Sequence, residues 1–584
     1  MRALRLSVAV AVLGGLIAAG ALSAANAATS EPRWVKHVHN YKGGISNGVR
    51  AMLAAAESGQ TASPASASSS TATGPSSPST PGSAYAQYGD RQVNEDTTKP
   101  PLPQNETSVA VSTLHPNQAV GGANDYETGG MQIYHTTDYG QSWTTNAITP
   151  QFFPTRAFCN GGDPWFAYSL RESLQNHADT QGAGRDVFYA TQLCFFRDRA
   201  ESEIHLYKTV DGGDHWTPSR YASYVVTNTP HGSLQTNVAV FYDKEVLTVD
   251  NNPTSPYFGR IYVAYIKFHL LPSGFSDFCP VQLAWTNVVN TENPRDFTNW
   301  THKKVVPDKP GDDGIGESAN QGTSIDIGWD GSVNITYNLE DCNTALDRGI
   351  RFQKSTTGGQ SFLANRVVVT NPGTKYRDNP DASDLIPTTS FRTPNMTSLD
   401  SNKATGTLVV LYINYINKAQ TNGDINASRS TDGGLHWSDP YPVSVGPNGI
   451  NPASNDQFFP AVDSTESGDL VAIWFDRRLD TGPDTDYPWQ SQPDPANHDI
   501  ETFQGESTDD GLTWSNFRLS SGHWNPDYGF FTFPGVFIGD YNGLAATDVA
   551  AYPLWTDGRN NSYHPDPLVP PIGETDVFTN PEID

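Results

Sequence analysis

Carboxylate, tyrosine and basic side chains recur in this chain at the beginnings and ends of short strand-like segments. Such a set contains the residue types needed for general acid–base and nucleophilic catalysis. Its cationic members carry the charge needed to hold an anionic group of a substrate. The candidate catalytic residues are Asp163, Glu245, Asp476, Asp540 and Tyr541. The candidate substrate-binding residues are Lys244, Arg197, Arg478 and Arg559.

A phrase of the form Ser/Thr-x-Asp-x-Gly-x-x-Trp recurs along the chain, and we call it the turn phrase. An Asp side chain accepts hydrogen bonds from nearby backbone N–H groups and Gly permits positive φ, so the phrase predicts a tight hairpin. A catalytic acid is needed once, whereas this aspartate recurs in nearly every unit, so we predict a structural role. Its aspartates are Asp138, Asp211, Asp432 and Asp509, its tryptophans are Trp143, Trp216, Trp437 and Trp514, and residues 355–362 form a degenerate copy.

A strand-like segment begins each repeat unit, and seven such starts are present, near residues 105, 162, 243, 320, 393, 456 and 539. Units of four strands repeated radially form a β-propeller. The sequence therefore predicts an all-β fold, a seven-bladed β-propeller, with six blades as the alternative. The seventh unit ends before a turn phrase, so we expect a strand within residues 86–98 to close the ring.

The propeller geometry predicts where chemistry would be found. The start of the first strand and the end of the second strand of every blade lie at one mouth of the central channel, and the turn phrases lie on the other face. We therefore expect a collar of charged residues at that mouth. A Trp-x-Asp-x-Arg pattern ends the second strand in two units, and a structural salt bridge is the alternative interpretation of its Asp and Arg. The collar would collect Glu106, Asp125, Tyr126, Asp163, Arg197, Asp243, Lys244, Glu245, Glu340, Asp341, Asp456, Asp476, Arg477, Arg478, Asp540, Tyr541, Asp557 and Arg559.

The turn phrase resembles the Asp box of sialidases and other Asp-box propellers, and the resemblance covers about residues 104–580. Residues 243–263 and 539–543 resemble secreted bacterial sialidase-like (BNR-repeat) proteins. The resemblance implies a secreted exo-sialidase-like glycoside hydrolase whose arginines clamp the carboxylate of the substrate. In that scheme Asp163 is the acid, and Tyr541 is a nucleophile activated by Glu245.

Two departures from the sialidase pattern keep other functions open. Sialidases carry Phe/Tyr-Arg-Ile-Pro ahead of their boxes, whereas the nearest match here, 391–394, lies mid-chain and makes Arg392 a further clamp candidate. Sialidase propellers have six blades, and seven-bladed Asp-box propellers occur among xyloglucan-cleaving hydrolases that use paired carboxylates, here Asp163 with Asp476 or Asp540. The alternatives from other classes are a non-catalytic glycan- or protein-binding propeller and a structural cell-surface module.

The first part of the chain divides into three segments before the propeller. Arg2 and Arg5, an apolar run and Ala25-Asn26-Ala27 predict a signal peptide over residues 1–27. Residues 28–57 form a short N-terminal segment with a predicted helix over 48–57. Residues 58–84 are nearly all Ser, Ala, Thr, Pro and Gly and predict a disordered linker. The propeller is assigned to residues 85–584.

Charge and cysteine content restrict the partners. The formal net charge of -27 opposes binding to nucleic acid. Four cysteines after a signal peptide predict two disulfides, Cys159–Cys194 and Cys279–Cys342, in a secreted protein. We predict no metal site and no cofactor. No C-x-x-C spacing is present that would indicate zinc. The acidic composition would suit a structural calcium ion, but the sequence contains no calcium-binding loop motif. The expected state is a monomer that binds a carbohydrate or glycoprotein.

Overall fold

A computed structural model describes most of the propeller and part of the N-terminal segment. The described residues are 31–41, 43–58, 70–72, 89–96, 101–148, 160–180, 184–217, 223–229, 235–287, 299–306, 320–344, 347–370, 391–414, 423–485, 493–529, 531–532, 535–561 and 573–583. The predicted signal peptide and most of the predicted linker lie outside them. No helix in these ranges has the length and apolar character needed to cross a membrane.

Seven antiparallel sheets form an all-β, seven-bladed β-propeller, as predicted. Before the first blade come α1 (Arg33–Asn40), α2 (Asn47–Ser58), β1 (Ser70–Ala72) and β2 (Arg91–Gln92). Blade 1 contains β3 (Gln104–Val111), β4 (Ala119–Asp125), β5 (Gly130–Thr136) and β6 (Trp143–Ile148). Blade 2 contains β7 (Asn160–Tyr168), the inserted helix α3 (Leu170–Asp179), β8 (Phe188–Phe195), β9 (Ser202–Thr209) and β10 (Ser223–Thr227).

The next three blades repeat the four-strand pattern with one short addition. Blade 3 contains β11 (Val240–Val249), β12 (Ile261–Leu270), the added β13 (Ser276–Phe278), β14 (Val281–Thr286) and β15 (Thr301–Lys304). Blade 4 contains β16 (Asn320–Ile327), β17 (Val333–Glu340), β18 (Asp347–Ser355) and β19 (Arg366–Thr370). Blade 5 contains β20 (Ser398–Ser401), β21 (Leu408–Asn414), β22 (Asp424–Ser430) and β23 (Tyr441–Pro442).

The last two blades complete the ring. Blade 6 contains β24 (Gln457–Ser464), β25 (Leu470–Asp476), β26 (Glu501–Ser507) and β27 (Ser515–Arg518), and the small hairpin β28 (Phe531–Thr532) and β29 (Gly535–Val536) follows it. Blade 7 contains β30 (Gly543–Ala546), β31 (Ala550–Asp557), β32 (Asp576–Thr579) and the short β33 (Glu582–Ile583).

The N-terminal part of the chain closes the ring, as the sequence predicts. Arg91 pairs with Thr579 and Gln92 with Phe578, so β2 is the outer strand of blade 7. Within the segment predicted to be a linker, residues 58–84, the short strand β1 pairs with β6 of blade 1. That pairing covers an otherwise open edge of the sheet.

The turn phrase builds the same hairpin in every described copy. In the first copy the Thr136 hydroxyl donates to Asp138 Oδ1 at 2.8 Å, and Asp138 accepts the Ser142 N–H at 2.9 Å and the Ser142 hydroxyl at 2.6 Å. Asp211, Asp432 and Asp509 make the corresponding bonds. The aspartates thus organise turns.

The first strands of five blades contain an equivalent β-bulge. The strand register shifts at this point in blades 1, 2, 3, 4 and 6. In each case one residue of the bulge has a positive φ: Glu106 (58°), Asp163 (53°), Lys244 (51°), Gly322 (59°) and Phe459 (56°). A left-handed conformation is strained for a residue other than Gly and is concentrated at functional sites. The bulges therefore mark the level of the channel at which chemistry is expected.

Replacing a turn-phrase aspartate tests its structural role. Hydrogen bonds from the His436 backbone N–H and side chain lower the pKa of Asp432 to about 2. We expect Asp432→Ala to lower the free energy of unfolding by about 1 kcal/mol at pH 7, because backbone donors of the turn lose their acceptor. A group with a depressed folded-state pKa stabilises above its unfolded pKa, so the difference should disappear as the pH falls from about 4 to 2.

Urea unfolding of the Asp432→Ala variant and the unchanged protein at pH 7 and at pH 2 measures this difference in the free energy of unfolding. Leu435→Ala is the matched control, because its side chain in the same turn is half exposed. An effect of Asp432→Ala that is no larger than the control effect would contradict the structural role.

Candidate active site

Eight charged or aromatic residues meet at the level of the bulges, and we call this cluster the collar. None of them is more than 9% exposed. Blades 1, 2, 3 and 7 contribute from the beginnings of their first strands, and Arg392 comes from the segment before β20. The collar consists of Glu106, Asp163, Asp243, Lys244, Glu245, Arg392, Asp540 and Tyr541.

Lys244 is the electrostatic centre of the collar. Its Nζ lies 3.3 Å from Glu106 Oε1, 3.5 Å from Asp163 Oδ2 and 3.1 Å from Asp540 Oδ2. It also lies 4.8 Å from the centre of the Tyr541 ring. Because the ammonium group occupies the space between three carboxylates, this part of the collar already has the cation that a metal ion would supply.

Glu106 and Asp163 form a close carboxyl pair positioned by one amide. Asn124 donates from Nδ2 to Glu106 Oε2 at 2.6 Å and accepts the Asp163 N–H on Oδ1 at 2.7 Å. The position of a Cβ built on Gly48 is 2.5 Å from both Asp163 Oδ1 and Glu106 Oε2, so these two oxygens are at most 5.0 Å apart (2.5 + 2.5). Burial, followed by the charge of Asp163, raises the pKa of Glu106 well above its usual range.

Glu245 is buried, and neither of its carboxyl oxygens has a hydrogen-bond partner among the described residues. Burial, followed by the charge of Asp163, raises the pKa of Glu245 well above its usual range. The same two causes raise the pKa of Asp243 to about 7. The collar therefore contains carboxyl groups that keep a proton near neutral pH, which is the property of a general acid.

Tyr541 and Trp165 provide an aromatic surface beside the acids. Their ring centres are 5.5 Å apart, with an angle of 52° between the planes. Burial, followed by the charges of Asp163, Glu106 and Glu245, raises the pKa of Tyr541 well above 10. The phenol is therefore protonated at neutral pH.

The central channel leads from the collar to the opposite face of the propeller. Its cavity of about 610 Å³ is lined by the first strands of all seven blades. Asp163, Trp165, Lys244, Glu245 and Tyr541 line it at the collar level. A ligand in this cavity would thus contact the acids and the aromatic pair together.

The N-terminal helical segment covers the other side of the collar. The Ser46 N–H donates to Asp243 Oδ2 at 2.6 Å, and its hydroxyl donates to Asp163 Oδ2 at 3.3 Å. Gly43 N–H donates to the Asn343 carbonyl at 2.9 Å. Further contacts join Gln321 to the Gly44 carbonyl and Arg392 to Asn47. These contacts reach residues of blades 2, 3 and 4 and the segment before blade 5, so helix α2 begins directly above the collar.

The structure does not bring Asp476, Arg478 and Arg559 into the collar. Arg478 donates to Asp476 Oδ2 from Nε at 2.9 Å and from Nη2 at 2.6 Å, and Trp474 Nε1 donates to the same oxygen at 2.7 Å. Arg559, Asp557 and Trp555 repeat the pattern. The two arginines also lie over the rings of Phe503 and Phe578. The Trp-x-Asp-x-Arg pattern therefore makes a structural ion pair, which corrects their assignment as catalytic or clamping residues.

The remaining predictions have mixed outcomes. Arg197 is exposed, whereas every residue of the collar is buried. The Cys279–Cys342 disulfide is present, with an S–S distance of 2.03 Å. Cys194 is also disulfide-bonded, and Cys159, its predicted partner, lies outside the described residues.

Two residues beside the acids, Asn124 and Trp165, were not predicted from the sequence, because they belong to no motif.

Comparison with known proteins gives similarity of fold only. No protein-family model and no curated protein sequence matches the chain. A Dyadobacter fermentans protein of unknown function aligns at 11% identity over 85% of this chain and 100% of its own, with a TM-score of 0.39. A GH93 α-L-arabinofuranosidase from Fusarium graminearum aligns at 9% identity over 67% of this chain and 92% of its own, with a TM-score of 0.38.

A sialidase from Trypanosoma rangeli aligns at 10% identity over 74% of this chain and 56% of its own, with a TM-score of 0.36. Identities and TM-scores this low assign neither a family nor an activity. The function must therefore be argued from the collar itself.

The central role of Lys244 predicts a large effect of its removal. We expect Lys244→Met to lower the free energy of unfolding at pH 7 by about 3–5 kcal/mol, because buried carboxylates lose their counter-charge. The loss should be smaller at pH 5, because burial and the charge of Asp163 raise the pKa of Asp243 to about 7, so Asp243 is protonated at pH 5 and does not need the ammonium charge. Denaturant unfolding at the two pH values measures both effects.

Lys354→Met is the matched control, because Lys354 pairs at 3.1 Å with one partly exposed carboxylate, that of Asp330, instead of with three buried carboxyl groups. Its loss should cost less than about 1 kcal/mol. Equal effects of the two substitutions would contradict the central role of Lys244.

Proposed function

We propose that the protein is a glycoside hydrolase that cleaves neutral glycans with carboxylic acids of the collar. The observation that carries the proposal is the buried group of Asp163, Glu245 and Lys244 at one end of the channel. It combines a carboxyl group whose raised pKa keeps its proton, a second carboxyl group 3.5 Å from an ammonium group, and space for a ligand. Two carboxyl groups in different environments are the usual requirement of glycoside hydrolysis.

The environment of each acid defines its role. Glu245 keeps its proton and has no competing partner, so it protonates the leaving oxygen of the glycosidic bond. The Asp163 carboxyl group lies 3.5 Å from Lys244 Nζ, and in the proposed reaction it stabilises or attacks the anomeric carbon as positive charge develops there. Lys244 holds Asp163, Glu106 and Asp540 in place and supplies their counter-charge. Trp165 and Tyr541 offer apolar faces on which a sugar ring stacks.

The charge of the collar favours a neutral substrate over a sialoside. Five carboxyl groups, those of Glu106, Asp163, Asp243, Glu245 and Asp540, face two cationic side chains of the propeller, Lys244 and Arg392. Lys244 and Arg392 already lie 3.1–3.5 Å from carboxyl oxygens of the collar, so neither cation is left to bind the carboxylate of a sialic acid. The sialidase-like scheme remains the second candidate, because Tyr541, Glu245 and the guanidinium of Arg392 lie in the same collar.

The cellular setting is part of the proposal. The Cys279–Cys342 disulfide fits an oxidising compartment, and the signal-peptide pattern of residues 1–27 fits export. We propose a secreted monomer that acts on extracellular carbohydrate.

Hydrolysis of a substrate panel tests the proposal. The panel contains aryl glycosides and oligosaccharides of neutral sugars, together with aryl sialosides. Two forms of the protein are assayed, the full chain and the full chain cut at a protease site inserted within residues 59–69. The cut form is included because the helical segment covers the collar. We expect neutral substrates to be cleaved, and Glu245→Gln and Asp163→Asn each to lower kcat about 10²–10⁴-fold. Activity should fall as the pH rises, because the acid Glu245 must be protonated.

Asp439→Asn is the matched control, since this exposed aspartate lies outside the collar, and it should leave kcat unchanged. Cleavage of sialosides alone, lost in Tyr541→Phe, would favour the sialidase-like scheme. Glycan binding without turnover by either form of the chain would refute hydrolysis and favour a binding propeller.

A further inference from the structure

The first turn of helix α2 presents its positive end to the carboxylates of the collar. Ser46 caps the helix, because its hydroxyl accepts the Val49 N–H at 3.3 Å. The Ser46 N–H and hydroxyl are the groups that bond Asp243 and Asp163. The N-terminus of a helix carries a partial positive charge and binds anions. The segment thus supplies positive charge and hydrogen-bond donors to the buried carboxyl groups of the collar.

Gly48 allows this approach because it has no side chain. A Cβ at this position would lie 2.5 Å from both Asp163 Oδ1 and Glu106 Oε2. Glu106 is already held by Asn124 at 2.6 Å and by Lys244 at 3.3 Å, so it has little freedom to move away. The segment therefore fits the collar only with glycine at residue 48.

Arg50 holds the segment in the shape that fits. Its guanidinium donates to the carbonyls of Val38 at 2.7 Å, Tyr41 at 2.8 Å and Gly43 at 3.0 Å. These bonds fold the connection between α1 and α2 around one side chain. Arg50 also adds positive charge on the side of Asp243 and Asp540.

Apolar side chains anchor the segment outside the collar. Trp34 lies between Phe195 and Phe241, each with its ring centre 5.2 Å away, and donates from Nε1 to the Arg199 carbonyl at 3.1 Å. Ile45, Val49, Met52 and Leu53 are at most 2% exposed. The segment therefore binds the propeller through its own apolar contacts, which are separate from the pairing of β2 that closes the ring.

We propose that the described N-terminal segment, residues 31–41 and 43–58, is an intramolecular plug that closes the mouth of the channel at the collar, and that cutting the chain behind it opens this mouth to substrate and activates the protein. The inference rests on the proposed function of the collar. The sequence after the plug, residues 59–69, contains only Gly, Gln, Thr, Ala, Ser and Pro. A tether of this length keeps the plug at a high effective concentration, and cleavage removes that advantage.

A thiol under the plug tests the closure without reference to hydrolysis. Gln321 is 1% exposed and contacts the Gly44 carbonyl, so the thiol of Gln321→Cys is reached by a maleimide only when the plug has left. The full chain carries this substitution and a protease site inserted within residues 59–69. We expect cleavage to raise the labelling rate at least tenfold and to raise hydrolysis of neutral glycosides in parallel.

If the cut segment stays bound to the propeller, two further variants test the closure of the collar in the uncut chain. Gly48→Ala should raise the labelling rate in the uncut chain, although alanine favours helix more than glycine does. Glu57→Gln is its matched control, because Glu57 lies on the exposed side of the same helix.

The outcomes separate this inference from the proposed function. Faster labelling without hydrolysis would support the plug and refute the proposed function. Hydrolysis by the uncut chain at the rate of the cut chain would overturn the plug. Labelling that neither cleavage nor Gly48→Ala accelerates would overturn it as well.

A second and independent cluster lies beside helix α3. His115 Nδ1 is 3.0 Å from Asp186 Oδ2, and His177 Nε2 is 2.8 Å from Asp186 Oδ1. The two imidazole centres are 4.9 Å apart, and Asp186 is fully buried. The three ligand atoms all lie within 4.8 Å of one another. Bonds of about 2.0–2.2 Å around a tetrahedral zinc ion place ligand atoms roughly 3.3 Å apart, which is near the two histidine–aspartate distances of 3.0 and 2.8 Å.

We infer that His115, His177 and Asp186 bind a divalent transition-metal ion, best Zn²⁺, which ties the loop after β3 of blade 1 to α3. This goes against the sequence prediction of no metal site, which considered cysteine spacing and calcium-loop motifs. The three residues come from separate parts of the chain, so no motif reveals them. Imidazole and carboxylate are ligands that zinc prefers, and a fourth position stays open for water.

Calorimetric titration of the metal-free full chain with ZnCl₂ tests the site. We expect one ion per chain, and at least tenfold weaker binding in His115→Ala and in His177→Ala. His215→Ala is the matched control, because this histidine is exposed and bonds the turn-phrase Asp211 at 2.7 Å. Absence of saturable binding, or binding that both substitutions leave unchanged, would overturn the inference.

Discussion

The concentration of buried carboxyl groups at one level of the channel is the constraint on which the rest of the structure depends. Unpaired buried charges are costly, so the collar needs counter-charge or protonation. Lys244 supplies the first, and the raised pKa values of Glu106 and Glu245 reflect the second. The positive end of helix α2 adds a third contribution from outside the propeller. Catalytic potential and the docking of the N-terminal segment thus share one electrostatic cause.

The repeated architecture could be predicted from the sequence because its signals are local. The turn phrase fixes a hairpin by bonds within five residues, such as those around Asp138, and its recurrence at blade intervals defines the ring. The strand that closes the ring, β2, could be predicted because the seventh repeat unit ends before a turn phrase and so lacks an outer strand. The pairing of β1 with β6 could not be foreseen, because Ser70–Ala72 has no strand-like character and is recruited by an open edge.

The site was only partly predictable. The rule that strand starts meet at one mouth brought Asp163, Lys244, Glu245, Asp540 and Tyr541 together, as found in the collar. The same rule admitted the Trp-x-Asp-x-Arg arginines, because sequence position does not show that a guanidinium is already bound by its neighbouring aspartate. The helix expected over residues 48–57 was recognised, but its place above the collar depends on contacts between residues far apart in sequence, which no local pattern encodes.

Hydrogen exchange of the backbone amides of residues 45–53 in the full chain tests the central claim most directly. Amide exchange reports the free energy at which each part of a structure opens. The account predicts that these amides are protected and exchange together, at a lower opening free energy than the blade strands, because the segment leaves the collar as a unit. Exchange of these amides only through global unfolding, or the absence of protection, would contradict it.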